Sequence, residues 1–169
     1  NNVATNRGGY VKTDKTVTID NGSTATLAQL VTINAATSGA ITLGTNTNAA
    51  NYSGTASDLE SAFAGIADGT HTGTLTATGA TTVVQANKFD AVSAGVVTAA
   101  IAGNAGDLDD LRTASTDAIT VTVNDAANVA QFNLIDAATS VNVVLSGGLT
   151  DEAVSFVTTG GTATSGLTN

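Results

Sequence analysis

The sequence predicts an α/β solenoid, with a parallel sheet on one side, short helices on the other and about 22 residues per coil. Three observations predict this fold. Short apolar runs rich in β-branched residues recur at a constant step, because Leu75, Val97, Ile119 and Val141 are equally spaced. Segments with helical spacing lie between these runs, and one phrase recurs three times. Parallel strands need crossover connections, which are right-handed in nearly all proteins, so repeating the step stacks the units.

The strands are predicted from alternation, in which successive side chains point to opposite faces of a sheet. The residues predicted to face inward are apolar: Val17, Ile19, Ile41, Leu43, Leu75, Ala77, Val97, Ala99, Ile119, Val121, Val141 and Val143. The residues predicted to face outward are Thr18, Thr42, Thr76, Thr98, Thr120 and Asn142. Since threonine has a high β propensity, the five threonines are expected to form a continuous ladder on the sheet face.

The constant step is interrupted once in the first half of the chain. The interval from Val17 to Ile41 is close to the regular step, whereas the interval from Ile41 to Leu75 is about half as long again. The polar, turn-forming stretch at about 45–54 is therefore predicted to be a surface insertion. The domain organisation predicted is an N-terminal arm at 1–15, a solenoid at 16–158 that contains this insertion, and a C-terminal tail at 159–169.

The recurring phrase surrounds Gln29, Gln85 and Gln131 and defines a repeat of two coils. A large apolar residue follows each Gln by four positions, an Asn or Asp by five, and a Thr or Ser by eight. The matching residues are Ile33, Asn34 and Thr37, then Phe89, Asp90 and Ser93, then Ile135, Asp136 and Thr139. Apolar steps of three predict that each Gln lies near the start of a helical segment. Its side-chain amide is expected to bond the backbone of an adjacent turn.

A second phrase marks the alternate coils. It reads Ser57-Asp58-Leu59-Glu60, then Gly106-Asp107-Leu108-Asp109, and more weakly Thr150-Asp151-Glu152. Ser57 with Glu60 predicts a capping box at a helix N-terminus. Because the helical segments are short and rich in Thr and Ala, a right-handed β-helix is the alternative fold.

The Gln phrase and the Ser-Asp-Leu-Glu phrase resemble repeat units of giant secreted surface proteins of cyanobacteria and other marine bacteria, which are RTX-associated and S-layer-like. The resemblance covers residues 23–158 and implies a structural or adhesive role at the bacterial cell surface. It supplies no catalytic residues. The RTX nonapeptide does not occur in this chain, so RTX-type calcium sites are not carried over.

The composition excludes several classes of function. A net charge of −9 and a pI of about 4.1 argue against a nucleic-acid partner, because little would neutralise phosphates. Without cysteine there is no disulfide and no thiol chemistry. No apolar run approaches membrane-spanning length. His71, the single histidine, lies in a Gly-Thr stretch and is predicted to be a turn residue, so we do not expect an enzyme.

Calcium is the one cofactor for which the sequence offers ligands. Asp107, Asp109 and Asp110 cluster closely along the chain, and calcium prefers carboxylate oxygens. A calcium-dependent surface-binding module is therefore an alternative function. An ice-binding module is a further alternative, because a flat threonine array is what such a module would use.

The two ends of the chain predict self-association. Neither residues 1–14 nor residues 160–169 contain the amphipathic cap that normally closes a solenoid. The basic residues Arg7, Lys12 and Lys15 contrast with the acidic remainder and are predicted to form an assembly interface. We therefore expect an extracellular protomer of a filament or layer, or a segment of an adhesin. Its predicted partners are copies of itself in head-to-tail order and, in addition, cell-surface glycans.

Overall fold

The computed structural model describes residues 14–151 and confirms an α/β fold with parallel strands. Strands and helices alternate along the described residues. The strands are β1 (Val17–Thr18), β2 (Ile41–Thr42), β3 (Tyr52–Thr55), β4 (Leu75–Ala80), β5 (Val97–Gly103), β6 (Ala118–Val123) and β7 (Val144–Leu145). The helices are α1 (Leu27–Asn34), α2 (Thr45–Asn48), α3 (Ala56–Phe63), α4 (Val83–Val92), α5 (Ala105–Leu108) and α6 (Val129–Ala137).

The strands form two parallel sheets rather than one. The first sheet pairs β1 with β2, and the second has the order β3-β4-β5-β6-β7. Within each sheet every strand therefore pairs with the next one in the chain, as expected when the crossover between them passes through a helix. The helices pack in the same order, with α1 against α3, α3 against α4, and α5 against α6.

The prediction of a surface insertion at 45–54 is corrected by the structure. This stretch forms α2 and the start of β3, and both Thr47 and Tyr52 are buried. Ile41 pairs with Ile66 in the first sheet, whereas Leu75 pairs with Tyr52 in the second. Ile41 and Leu75 thus belong to two different sheets, which is why the interval between them is long. The residues that do pair, Ile41 with Ile66 and Tyr52 with Leu75, are separated by close to the regular step.

The register of the second sheet shifts once. Leu75 pairs with Val97, an offset of 22 (97 − 75), but Ala80 pairs with Ala100, an offset of 20 (100 − 80). Gly79 lies within this irregularity with a φ of 80°, a left-handed conformation that glycine adopts without steric cost. The shift persists in the next pair of strands, where Ile119 lies opposite Ala99. The original offset returns between β6 and β7.

The predicted inward faces of the central strands are confirmed. The inward side chains of β4, β5 and β6 are buried, as is Val17 of β1, whereas Ile19, Val141 and Val143 are half-buried. The helices add large apolar residues to the same core. Those fully enclosed include Leu30, Leu59, Phe89, Leu108 and Ile135. One continuous core thus lies between the strands and the helices.

Candidate functional site

The three Gln residues occupy equivalent places, each as the third residue of a helix. They lie in α1, α4 and α6, and each completes a capping box with its N-cap residue, which is Thr26, Thr82 or Asn128. The N-cap oxygen accepts the Gln backbone N–H at 3.3, 3.2 and 2.8 Å respectively. In return Gln Oε1 accepts the N-cap backbone N–H at 2.9, 3.1 and 3.2 Å.

The predicted position of these glutamines is therefore confirmed, and their predicted partner is corrected. Each Oε1 bonds its own helix terminus rather than an adjacent turn. The first backbone N–H groups of a helix have no partner inside the helix, so a short helix gains most from a side chain that satisfies them.

The Gln amide nitrogen makes a second contact, and it reaches a different helix. Gln85 Nε2 donates to Glu60 Oε2 of α3 at 3.1 Å, and Gln131 Nε2 donates to Asp109 Oδ2, directly after α5, at 3.4 Å. A glutamate at this place could cap its helix equally well but could not donate. The need to bond a carboxylate of the preceding helix explains why the repeat uses glutamine.

Glu60 belongs to this inter-helix contact and not to the predicted capping box. The N-cap of α3 is Thr55, whose hydroxyl accepts the Asp58 N–H at 3.1 Å. Glu60 instead accepts from Gln85 and from Lys88 Nζ, the latter at 3.4 Å. These bonds, Gln85 first and then Lys88, lower the pKa of the Glu60 carboxyl.

The Asn or Asp of the repeated phrase ties its helix to the segment that follows. Asn34 Nδ2 donates to the carbonyl oxygen of Ser61 at 2.7 Å. Asp90 Oδ1 accepts the Ala114 N–H at 3.0 Å. These side chains satisfy backbone groups beyond their own helix, as buried or half-buried polar groups require.

The hydroxyl group of the Thr or Ser that ends the repeated phrase joins consecutive strands. Ser93 Oγ donates to the Gly73 carbonyl at 2.9 Å and accepts the Gly95 N–H at 3.1 Å. A Cβ on Gly95 would lie 2.2 Å from the same carbonyl oxygen, so the backbones approach too closely for any other residue. Thr37 and Thr139 make corresponding bonds. Each position of the phrase therefore serves capping, core packing or contact between units.

The predicted threonine ladder is discontinuous. Thr18 lies opposite Thr42 in the first sheet, and Thr76 lies opposite Thr98 in the second. Beyond the register shift, Thr98 faces Ala118, and Thr120 faces Ala100. The prediction of one column through all five residues is therefore wrong, because it assumed a single sheet with one register.

The structure does not gather the predicted calcium ligands. Asp109 bonds Gln131, and Asp110 pairs with Arg112 at 3.3 Å on the surface. Asp107 is exposed in the first turn of α5, where an acid complements the helix dipole. Within residues 14–151 no group of three or more acidic or histidine side chains is arranged to hold a metal ion.

Sequence reasoning placed His71 in a turn, but the side chain is completely buried. It lies among aromatic rings, with ring centroids 5.6 Å from Tyr52 and 5.0 Å from Phe63. Neither ring nitrogen has a hydrogen-bond partner, and burial lowers the pKa of His71 to about 4. His71 is therefore a neutral core residue. Its backbone pairs with Ser93, a long-range contact that no local pattern marks.

Asp117 is the second buried ionisable group that sequence reasoning missed. Its Oδ1 accepts the Val97 N–H at 2.8 Å, whereas its Oδ2 is enclosed and accepts no N–H or O–H from the protein. The Asp90 carboxyl lies beside it. Burial first, and then Asp90, raise the pKa of Asp117 to about 6. Two adjacent carboxyls can bond each other only when one carries a proton.

An open groove of about 530 Å³ lies where α4, β5 and α5 meet. Its apolar wall includes Val83, Ile101 and Leu108, and Asp107 and Asp110 also line it. Helix α4 has ten residues and α5 has four, and residues of both helices line the groove.

The two ends of the described fold leave strand edges open. Among residues 14–151, β1, β3 and β7 each pair with a strand on one side only, and of these β1 and β7 are the first and last strands. The inward residues of the last turn, Val141, Val143, Leu145 and Leu149, are only half-buried, in contrast to the buried inward residues of β6. Within residues 14–151, β7 therefore combines an edge without a strand partner with apolar residues that are only half-buried.

One of the three residues predicted to form an assembly interface lies at the other end of the described fold. Lys15 is exposed and pairs with the adjacent Asp14, at 3.1 Å. Arg7 and Lys12 lie outside the described residues. The structure therefore places one of the three predicted residues on the surface beside β1.

None of the described helices is both long and apolar enough to cross a membrane. Comparison of the chain with protein-family models, with curated proteins and with solved structures finds no match.

Proposed function

We propose that this chain is a structural, self-associating module whose strand–helix units stack as an α/β solenoid and whose ends join copies head to tail. The observation that carries the proposal is a pair of strand edges that have no strand partner within residues 14–151, β1 at one end and β7 at the other. An open edge of a parallel sheet is a template for another strand. The half-buried Val143 and Leu145 add apolar surface at the same end as β7.

The geometry of such a contact favours an open chain of copies over a closed dimer. The N-terminal and C-terminal ends of the fold are different surfaces, so the interface between them is heterologous. A heterologous interface produces a filament unless its rotation happens to close into a ring. A filament or layer protomer, or one segment of a long adhesin, is thus the proposed role, and no catalytic activity is part of it.

Charge supports the same arrangement. The whole chain carries a net charge of −9, whereas Arg7, Lys12 and Lys15 lie together near the N-terminus. A basic end approaching an acidic body gains favourable long-range attraction, which speeds encounter and fixes orientation. The basic segment is therefore the proposed guide for assembly.

We place this role at the bacterial cell surface. The acidic, cysteine-free, Thr-rich composition and the resemblance of the repeated phrases to secreted surface proteins support this location. Cell-surface glycans are a further proposed partner, for which the exposed Thr-bearing sheet face is the available surface.

The test is assembly as a function of protein concentration. Sedimentation velocity and negative-stain electron microscopy should show head-to-tail oligomers that lengthen as the full chain is concentrated. Leu145→Glu should reduce oligomer length by placing a charge in the proposed interface. The matched control is Val84→Glu, because Val84 is an exposed apolar residue on α4, in the middle of the described element order.

Two outcomes would count against the proposal. If the chain stays monomeric at high concentration, its ends do not join copies and the proposal is wrong. Equal effects of Leu145→Glu and Val84→Glu would show that the C-terminal end is not the contact surface. Repeating the measurement with calcium and with a chelator separates simple end-to-end stacking from calcium-dependent assembly.

A further inference from the structure

The groove where α4, β5 and α5 meet lies beside a part of β5 that β4 does not reach. From Thr76 to Ala80, β4 advances four residues (80 − 76), whereas the paired segment of β5, from Thr98 to Ala100, advances two (100 − 98). Because of this shift β4 pairs only as far as Ala100, and β5 continues to Gly103 with no described strand on that side. The last three residues of β5 line the groove.

The backbone N–H and C=O of Ala102 have no partner within residues 14–151. The C=O of Gly103 faces β6, because it accepts the Asn124 N–H at 2.9 Å. The C=O of Ala100 faces the opposite side, because it accepts the Thr81 N–H at 3.0 Å, directly after β4. Backbone groups alternate between the two sides of a strand, so those of Ala102 point to the same side as those of Ala100.

A second polar group at the groove also lacks a partner. Thr81 is only 5% exposed and lines the groove, yet its hydroxyl has no hydrogen-bond partner within residues 14–151. Buried polar groups are normally paired. On its other side β5 is paired to its last residue, since Gly103 lies opposite Val123. The groove therefore presents one open side of one strand end, which is a template for an added strand.

The side chains around the groove define the kind of strand that fits it. The apolar wall includes Val84, which is 74% exposed. Of the described residues that line the groove, only Asp107 and Asp110 are charged, and both are exposed. Asp110 pairs with Arg112, whereas Asp107 makes no salt bridge within residues 14–151. An occupant with both apolar and basic side chains is complementary to this surface.

We infer that this groove binds an extended, basic peptide segment of a partner protein, which adds to the sheet beside Ala102. The backbone of the segment pairs with the N–H and C=O of Ala102 and continues the line of β4. Its apolar side chains pack against the groove wall, and a Lys or Arg lies beside Asp107. The volume of about 530 Å³ is in the range of about 300–1,000 Å³ that is usual for ligand sites. Since β4 and β5 are in the middle of the element order, peptide binding and end-to-end assembly can be measured separately.

The test uses the full chain and a pentapeptide of alternating valine and lysine, blocked at both ends. In ¹⁵N NMR spectra the Ala102 N–H signal should move and saturate as the peptide is added. With the peptide bound, the Ala102 amide should exchange with deuterium at least about tenfold more slowly, whereas the Gly103 amide, which faces β6, should not change. The same peptide with glutamate in place of lysine is the matched probe, and it should bind at least about tenfold more weakly.

Two variants test the two parts of the site. Asp107→Lys changes an exposed residue and should raise the dissociation constant of the valine–lysine peptide about tenfold or more. The matched control is Asp68→Lys, an exposed acid between α3 and β4 that does not line the groove, and it should change the constant less than about twofold. Ala102→Pro removes the backbone donor and should abolish binding. If Ala102→Pro does not fold, Asp107→Lys and the Ala102 amide signal still decide.

Each contrary outcome overturns a stated part of the inference. An Ala102 signal that the valine–lysine peptide does not move shows that no strand adds to β5. Equal binding of the two peptides, or equal effects of Asp107→Lys and Asp68→Lys, shows that the groove does not select a basic segment. If the Ala102 signal moves with protein concentration alone, the occupant is a second copy of this chain and the assignment to a partner protein is wrong.

Discussion

At the scale of single residues, the buried side chains of His71 and Asp117 change the stability of the protein in opposite directions as the pH falls. Burial lowers the pKa of His71 to about 4, so its contribution to stability is full above about 6.5 and is lost as pH falls towards 4. Burial raises the pKa of Asp117 to about 6, so its contribution is full below about 3.8 and is lost as pH rises through 6. Between these limits the two effects partly cancel.

Asp117→Asn should stabilise the protein at neutral pH. The Asn Oδ1 can still accept the Val97 N–H, and its Nδ2 can donate to the Asp90 carboxylate, so no buried charge remains. We expect the free energy of unfolding to rise by about 1–3 kcal/mol at about pH 7.5, with a smaller change at about pH 4. Urea unfolding at both pH values measures this.

The control for this change is Asp110→Asn, which removes an exposed acid paired with Arg112 on the surface. It should alter stability by no more than about 0.5 kcal/mol at either pH. A loss of stability for Asp117→Asn at neutral pH would mean that the ionised Asp117 is stabilising, contrary to the geometry of its enclosed Oδ2.

His71 should titrate far below an ordinary histidine. The midpoint of its imidazole proton shifts in NMR should lie near 4, because charging the ring would place a cation between Tyr52 and Phe63 without a hydrogen-bond partner. His71→Leu should make the free energy of unfolding fall less between about pH 6.5 and pH 4.5. A midpoint at the ordinary value would show that His71 is open to water.

At the scale of secondary structure elements, short helices and short strands are held by their termini and by side-chain contacts to their neighbours. α1, α4 and α6 each begin with a complete capping box, which stabilises a helix by about 1 kcal/mol. α5 has only four residues, and Asn104 at its N-cap makes no side-chain bond. Isolated helices this short do not persist in water, so packing must stabilise them.

Strand parity in β6 can be tested by a pair of substitutions. Ile119 is completely buried and Thr120 is exposed, although they are adjacent. Ile119→Asp should cost about 4 kcal/mol or more by leaving an unpaired carboxylate in the core, and Thr120→Asp about 1 kcal/mol or less. Thermal and urea unfolding of both variants measure the difference. Equal losses would contradict the assigned faces.

At the scale of the whole molecule, the distribution of charge sets how copies meet. Three of the five basic residues lie within the first fifteen positions of a chain that carries a net charge of −9. If this segment guides assembly, its charge acts mainly on the association rate, and salt should screen it. In the proposed assembly, the strand edges at the two ends would then determine how long the contact lasts.

Arg7→Glu combined with Lys12→Glu should slow assembly of the full chain. At low ionic strength we expect the association rate to fall about tenfold or more, because attraction between the basic segment and an acidic neighbour becomes repulsion. Light scattering after a concentration jump measures the rate. The same comparison at about 1 M salt is the control, since the two proteins should then differ little. A difference that persists in high salt would show that these residues act by contact and not by charge.

The local sequence pattern determined which side chains of the central strands face the core and where a helix begins. Alternation predicted which side chains of β4, β5 and β6 face the core, and the phrase around Gln85 predicted where α4 begins. Both succeed because strand periodicity and helix capping depend on a few neighbouring residues. Only the tertiary structure decided which strands are partners, since Ile41 pairs with Ile66 whereas Leu75 pairs with Tyr52.

The remaining features also depend on contacts between segments that are distant in the sequence. His71 and Asp117 lie in polar stretches that are typical of turns, and they are buried because distant segments pack over them. The Gln85–Glu60 bond and the register shift at Gly79 depend on which helix or strand lies alongside. A polar residue carries no local mark of what will cover it, so its partner is set by the stacking of the chain rather than by its neighbours in sequence.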